Sequence, residues 1–161
     1  MIRPARASDA AAVAAIWNPV IRDTAITFNP VPKAVSELEA LIDEKARAGH
    51  GFFVAEAAGE VAGFASYGQF RAGAGYARAM EHTILLAPGA RGRGLGRALM
   101  AALEAHARDG GAHVLMAGIS GENPQGVAFH AWIGFREVAR VPGVGWKFGR
   151  AMDLVLMQKL L

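Results

Sequence analysis

The sequence predicts an α/β fold, one mixed sheet with helices, in a single domain over residues 1–161. Three observations predict it. Runs with strand-like and helix-like hydrophobic spacing alternate along the chain. Two apolar runs flank Ala58-Gly59 as a hairpin would. A glycine-rich stretch, Gly92 to Gly96, joins a strand-like run to an amphipathic one. The length suffices for a sizeable core, and 53% hydrophobic against 19% charged residues is a globular balance.

Met1 to Ala7 reads as a first strand. Ser8 is an N-cap, and Asp9 sits in the first turn of a helix carrying Val13 and Ile16. Asn18-Pro19 is expected to stop it. A second helix, near Lys33 to Ala48, has the stripe Val35, Leu38, Leu41 and Ile42, and Gly49 ends it. Gly51 to Glu56 and Glu60 to Gly68 form the hairpin, and Gln69 to Ala79 is a loop. Met80 to Ala87 is a strand ended by Pro88. The helix after the glycines shows Leu95, Leu99, Ala102 and Leu103 on one face. His113 to Ile119 is a strand. Asn123-Pro124 opens the last helix as cap and first-turn proline, and Gly134 closes it. Phe135 to Val141 and Met152 to Lys159 are the final strands. Seven strands and four helices result.

Met1 to Arg6 has no apolar signal segment, and no run is long enough to cross a membrane. A cytoplasmic location is expected. Cysteine is absent, which removes disulfides and thiolate metal sites. The histidines show no metal-ligand spacing, so no metal is expected. The net charge of +3 suits an anionic ligand and discriminates little further.

Arg91-Gly92-Arg93-Gly94-Leu95-Gly96, followed by Arg97, is the sharpest motif. Glycines allow close backbone approach, and the first N–H groups of the following helix point at whatever sits there. The helix dipole and three arginines favour an anion, so the motif reads as a pyrophosphate cradle. Two rival cradles fail on spacing. A dinucleotide fingerprint starting at Gly92 or Gly94 needs glycine where Arg97 or Leu99 stands, and no Gly-Lys-Ser/Thr closes a P-loop. On the strand before it, Glu81, Thr83 and Leu85 share one face and His82, Ile84 and Leu86 the other. Asn123 and His130, seven apart, share one helix face.

The pattern Arg/Gln-x-x-Gly-x-Gly/Ala after a strand resembles the GCN5-related N-acetyltransferase (GNAT) family. The resemblance is closest in Glu81-His82-Thr83 to Leu99, Asn123 to Phe135, and Val144-Gly145-Trp146-Lys147-Phe148-Gly149-Arg150. Glu81-His82 before the cofactor strand and the Val144 to Arg150 segment resemble its phosphinothricin and methionine-sulfoximine branch. The resemblance implies a mostly antiparallel seven-stranded sheet whose parallel pair splays at the cofactor site. It implies acetyl-CoA as cosubstrate, a small amino-acid-like amine as acceptor, and a homodimer. The backbone of Ile84, Leu85 and Leu86 would hold the pantetheine arm, with Arg91 to Arg97 at the pyrophosphate and Asn123 beside the cofactor. Glu81 is the expected general base, since a carboxylate removes the amine proton directly or through water. His82 is the other candidate base. His130 is either general acid for the thiolate or a cofactor contact.

Arg71, Ala72 and Gly73 form the expected acceptor loop, with the Arg71 guanidinium for a carboxylate. Lys147 is a further acceptor or subunit contact, or a solvated lysine. The branch often has Arg-Pro-aromatic where this chain has Arg71-Ala72-Gly73, and Trp-Leu where it has Ala151-Met152. Without cysteine, acetyl transfer is expected to be direct, within a ternary complex. The alternatives are another acceptor (a protein N-terminus, a lysine or an antibiotic amine), a non-catalytic coenzyme A sensor, or a nucleic-acid module. No basic or aromatic cluster surrounds the loop to support the last.

Overall fold

Seven strands and four helices form in the computed structural model, which describes residues 1–161. The strands are β1 (Ile2–Pro4), β2 (Phe52–Ala57), β3 (Glu60–Gln69), β4 (Ala79–Leu86), β5 (Val114–Ser120), β6 (Arg136–Lys147) and β7 (Arg150–Leu160). The helices are α1 (Ala10–Asp23), α2 (Val35–Arg47), α3 (Leu95–Asp109) and α4 (Pro124–Trp132). One sheet runs β1-β2-β3-β4-β5-β7-β6, and all neighbours are antiparallel except β4 and β5. No helix is long and apolar enough to cross a membrane.

Strand alternation sorts the core onto two faces. On one, Phe53, Ala65, Tyr67 and Met80 pack with Leu99, Met100, Leu103 and Ala107 of α3. On the other, Phe52, Val54 and Phe64 pack with Val13 of α1 and with Leu38 and Ile42 of α2. Leu99, Leu103 and Leu38 are almost wholly buried. Each such side chain contributes about 1.5–3 kcal/mol of transfer free energy, which sets the helices against the sheet. The predicted hairpin turn closes as its composition requires, with Ala58 at φ 53° and Gly59 at φ 81°.

Three elements depart from the sequence expectation. Ser8 does not cap α1. Residues Ala7–Asp9 form a 3-10 turn in which the buried Asp9 carboxylate accepts from the Arg6 N–H and from Arg3, each at 2.8 Å. The Arg3 guanidinium holds Asp9 below the usual carboxylate range. Helix α1 does not stop at Asn18-Pro19 but continues through Pro19 to Asp23. The next turn buries Val20 and Ile21, and the Asn18 amide exchanges two 2.9 Å hydrogen bonds with the Lys33 backbone, so tertiary packing outweighs one lost helical bond. Strand β6 runs on past Val141 to Lys147, with irregular register between Val141 and Gly145, and turns into β7 at Phe148-Gly149.

Candidate active site

The parallel pair comes apart where the chemistry-bearing residues begin. Strands β4 and β5 are in register only from Ala79/Val114 to Glu81/Met116. Beyond Glu81, β4 keeps β3 as partner through Leu86 but has none on its β5 side. The backbone of Ile84, Leu85 and Leu86 therefore borders an open fork. Ile84 and Leu86 turn their side chains to the α3 face and Leu85 to the α1/α2 face, as the alternation predicted.

Two adjoining hollows occupy the fork. The outer cleft, about 400 Å³, is lined by Leu86, Arg91, Gly92, Gly94, Gly96, Arg97 and, from α4, Asn123, Gln125, Gly126, Phe129 and Trp132. The inner cavity, about 490 Å³, is lined by Glu81, His82, Thr83, Gly118, Ser120 and His130 and by the loop residues Ile26, Thr27, Phe28 and Asn29. Ile84, Leu85, Asn123 and Ile26 line both, so the hollows adjoin across a shared wall.

The cradle forms as its glycines require. Gly92 and Gly94 take φ 73° and 79°, and Gly94 is the N-cap of α3. A Cβ at either would meet no atom within 4 Å, so the space above both is open to a ligand. The first N–H groups of α3 have no carbonyl a turn earlier to bond. Gly96 is tighter: a Cβ there would stand 3.3 Å from the Phe129 ring. These features, with Arg91 and Arg97 alongside, fit a pyrophosphate. Arg97 lies over the Trp132 ring, 5.6 Å from its centre. Arg93 and Leu95 do not line the cleft; Leu95 packs against the core. The Asn123 side chain accepts from the Gly126 N–H at 3.0 Å, capping α4 beside the cleft.

Glu81 stands at the fork. The side chain is exposed into the open fork, and its carboxylate has no hydrogen-bond donor from the protein. Partial desolvation by the walls of the fork raises its pKa above the usual value. A Cβ at Gly118 of β5 would stand 3.7 Å from Glu81 Oε1, an ordinary contact distance, so Gly118 lies directly beside the carboxylate. On the opposite face of β4, His82 is buried. Its Nδ1 lies 2.9 Å from the Met116 carbonyl and its Nε2 2.9 Å from Nε2 of His130. His130 Nδ1 lies 2.7 Å from the Gly126 carbonyl. Burial, then the neighbouring His130, pushes the His82 pKa down to about 3, and burial also lowers that of His130. All four ring nitrogens are engaged.

Other predicted residues fall elsewhere. Lys147 is neither solvated nor turned to the cavity. It is 3% exposed, and its ammonium donates to the carbonyls of Thr24 (2.6 Å) and Thr27 (2.8 Å). Desolvation lowers its pKa. It thus pins the loop that carries Ile26 to Asn29. A Cβ at Gly145 would meet the Phe28 ring at 2.5–2.8 Å, so Gly145 lets that ring close on β6. Arg71, Ala72 and Gly73 are exposed and absent from the cavity wall; Arg71 lies over the Tyr76 ring, 5.5 Å from its centre, while Phe70 lines the cavity. The loop 24–29 and Gly118 carried no local signal in the sequence, because their roles depend on β5 and β6. Replacing Lys147 by Met should release the loop. Each lost charge-assisted bond costs about 1.5–3 kcal/mol, so Tm should fall by at least about 3–12 °C. The acceptor KM should rise while the acetyl-CoA affinity measured by calorimetry holds.

An open parallel pair with a glycine cradle at one end and a carboxylate at the other is the frame of an acyl transferase that uses a coenzyme A thioester. The pattern of the acetyltransferase (GNAT) family matches residues 18–135, and the chain belongs to that family. It is an acetyl-CoA-dependent N-acetyltransferase. It is 39% identical over 98% of its length to the L-amino acid N-acyltransferase MnaT of Escherichia coli, covering 91% of that protein. It is also 39% identical to the L-methionine sulfoximine/L-methionine sulfone acetyltransferase of Pseudomonas paraeruginosa, covering 98% of this chain and 92% of that one. A Salmonella typhimurium acetyltransferase solved with its cofactor acetyl-CoA superposes with a TM-score of 0.95 at 36% identity, covering all of this chain and 93% of the other.

Proposed function

We propose that the chain transfers acetyl from acetyl-CoA to the α-amine of a small amino acid, of the methionine sulfoximine or sulfone type, with phosphinothricin as a further acceptor. The observation that carries this reading is that the two hollows adjoin along the open edge of β4, with Glu81 in the inner one and the glycine cradle in the outer. The names of the Escherichia coli and Pseudomonas relatives support the acceptor class. Arg91, Gly92, Gly94, Gly96 and Arg97 hold the pyrophosphate, and the free edge of β4 from Ile84 to Leu86 bonds the pantetheine arm. The thioester then lies near the fork.

Glu81 takes the proton from the ammonium or from a bridging water. The amine lone pair attacks the thioester carbon and the C–N bond forms. The C–S bond breaks with its electrons going to sulfur, and the second N–H proton leaves the nitrogen to neutralise the thiolate, giving amide and thiol. Its pKa, raised by partial desolvation, keeps Glu81 a competent base nearer neutral pH. The 24–29 loop, pinned by Lys147, closes the acceptor side. Arg71 takes the acceptor carboxylate by leaving Tyr76 and turning inward.

Steady-state kinetics on amino acids, their carboxyl amides and arylalkylamines test this. Initial-rate lines at varied acetyl-CoA and acceptor should intersect, as direct transfer in a ternary complex requires. The free acids should be preferred in kcat/KM, and Arg71→Ala should abolish that preference without altering acetyl-CoA binding. Equal values for acids and amides would remove the carboxylate clamp and point to a broader small-amine acceptor. Parallel lines would point to an acetylated enzyme, with a histidine or carboxylate as carrier.

A further inference from the structure

The His82–His130 contact fixes a proton count. A backbone carbonyl only accepts hydrogen bonds. His82 Nδ1 faces the Met116 carbonyl at 2.9 Å and His130 Nδ1 the Gly126 carbonyl at 2.7 Å, so both Nδ1 atoms carry hydrogen. If both rings were neutral, both Nε2 atoms would then be bare. Two lone pairs would face each other at 2.9 Å, which repels. The contact becomes an N–H···N hydrogen bond only when one further proton lies between the rings. Two imidazoles bearing three N–H protons carry one positive charge.

We propose that His82 and His130 share a single proton and stand in the cavity wall as one buried cation, whose charge favours the oxyanion and the thiolate formed during acetyl transfer. Burying a charge without a counter-ion costs free energy that hydrogen bonding offsets in part, and here each of the three N–H groups has an acceptor. His130 also lies in the last turn of α4, where the helix dipole favours a cation. Burial lowers the proton affinity of each ring taken singly, and repulsion between the rings further disfavours a second proton. The first proton is favoured because it replaces the repulsion of two facing lone pairs by a hydrogen bond at 2.9 Å. The surroundings are otherwise uncharged. Phe129 and Phe135 pack on His130, and Phe135 also on His82, at 5.2–5.4 Å between ring centres. Strand β5 presents only the Met116 carbonyl to His82. Glu81 is the one other titratable group lining the cavity, and Arg97 of α3 faces the outer cleft.

No ring nitrogen is free to reach a ligand, so the pair acts through its charge, and His82 is a positioning residue that lets His130 stay protonated. Preorganised charge of this kind is strongest in a water-poor site and acts on kcat rather than on ground-state binding. The consequence for catalysis rests on the acetyl-transfer reading; the proton count does not.

Nitrogen-15 spectra of the wild-type imidazoles test the count without turnover. At pH 7.5 three of the pair's four nitrogens should be protonated, one of those protons being shared between the two Nε2 atoms. Two bare nitrogens, or four protonated ones, would overturn the proposal. On raising the pH, wild-type kcat should fall with the same midpoint as the shared proton is lost; a kcat that ignores this midpoint overturns the catalytic half. His82→Phe and His82→Asn should each lower kcat by about 10–100-fold with acetyl-CoA KM within about twofold. Unchanged kcat in a folded variant has the same force as a missed midpoint. If the wild type turns over no amine while three nitrogens are protonated, the acetyl-transfer reading fails and the shared proton stands.

Discussion

Replacing Glu81 by Gln lowers kcat by about 10²–10⁴-fold, the scale of a lost general base. The exchange keeps the size of the side chain beside Gly118 and removes the group proposed to accept the amine proton. Acetyl-CoA affinity stays as it was, because Glu81 lines only the inner cavity. Partial desolvation raises the Glu81 pKa, so the acid limb of the wild-type rate lies above the usual carboxylate range. The sign for stability follows from the same shift. A carboxyl whose folded pKa is raised favours the fold while protonated, below the unfolded pKa. That contribution is lost as pH rises through the folded value. At neutral pH the Gln variant therefore loses no electrostatic stability and melts at or above the wild type. A variant with full kcat would shift the base to another group, and one that melts lower would make Glu81 structural.

Acetyl-CoA at about 100 times its Kd raises the wild-type Tm by about 5–10 °C, from about 2.7 kcal/mol of linkage in a chain of this size. Gly94→Val and Gly96→Leu abolish that shift. At Gly94 the positive φ disfavours a branched side chain and the side chain fills open space over the cradle. At Gly96 the added atoms press on Phe129 and occupy the cleft. Both variants melt lower without ligand, so each shift is read against the variant's own unliganded Tm by scanning fluorimetry or calorimetry. NAD and ATP shift none of the three proteins comparably, since the loop lacks both their fingerprints. An undiminished shift in a folded variant removes the loop from the cofactor site.

Much of the fold was legible because its signals are local. Ala58-Gly59 marks a tight turn, Asn123-Pro124 a helix start, and the Leu95, Leu99 and Leu103 stripe a buried helix face, whatever packs on them. The end of α1 is not legible, for the opposite reason. Pro19 disfavours a helix locally, but burial of Val20 and Ile21 and the grip of Asn18 on Lys33 come from elsewhere in the chain. The full length of β6 is not legible either, because nothing within Pro142 to Lys147 shows that β7 pairs with it.

The candidate site divides in the same way. By itself the sequence determined an α/β sheet with a glycine cradle between a strand and a helix. It also ordered Glu81 and His82 on opposite strand faces, and Asn123 and His130 on one helix face. These follow from the fixed periods of strand and helix and from the backbone freedom of glycine. Only the tertiary structure decided that β4 and β5 part after Glu81, that Lys147 pins the 24–29 loop, and that Arg71 rests on Tyr76. It alone brought His82 and His130, 48 residues apart, to a 2.9 Å contact. Such pairings depend on the register of strands and the seating of α4, which burial across the whole sheet sets and no short stretch of sequence encodes.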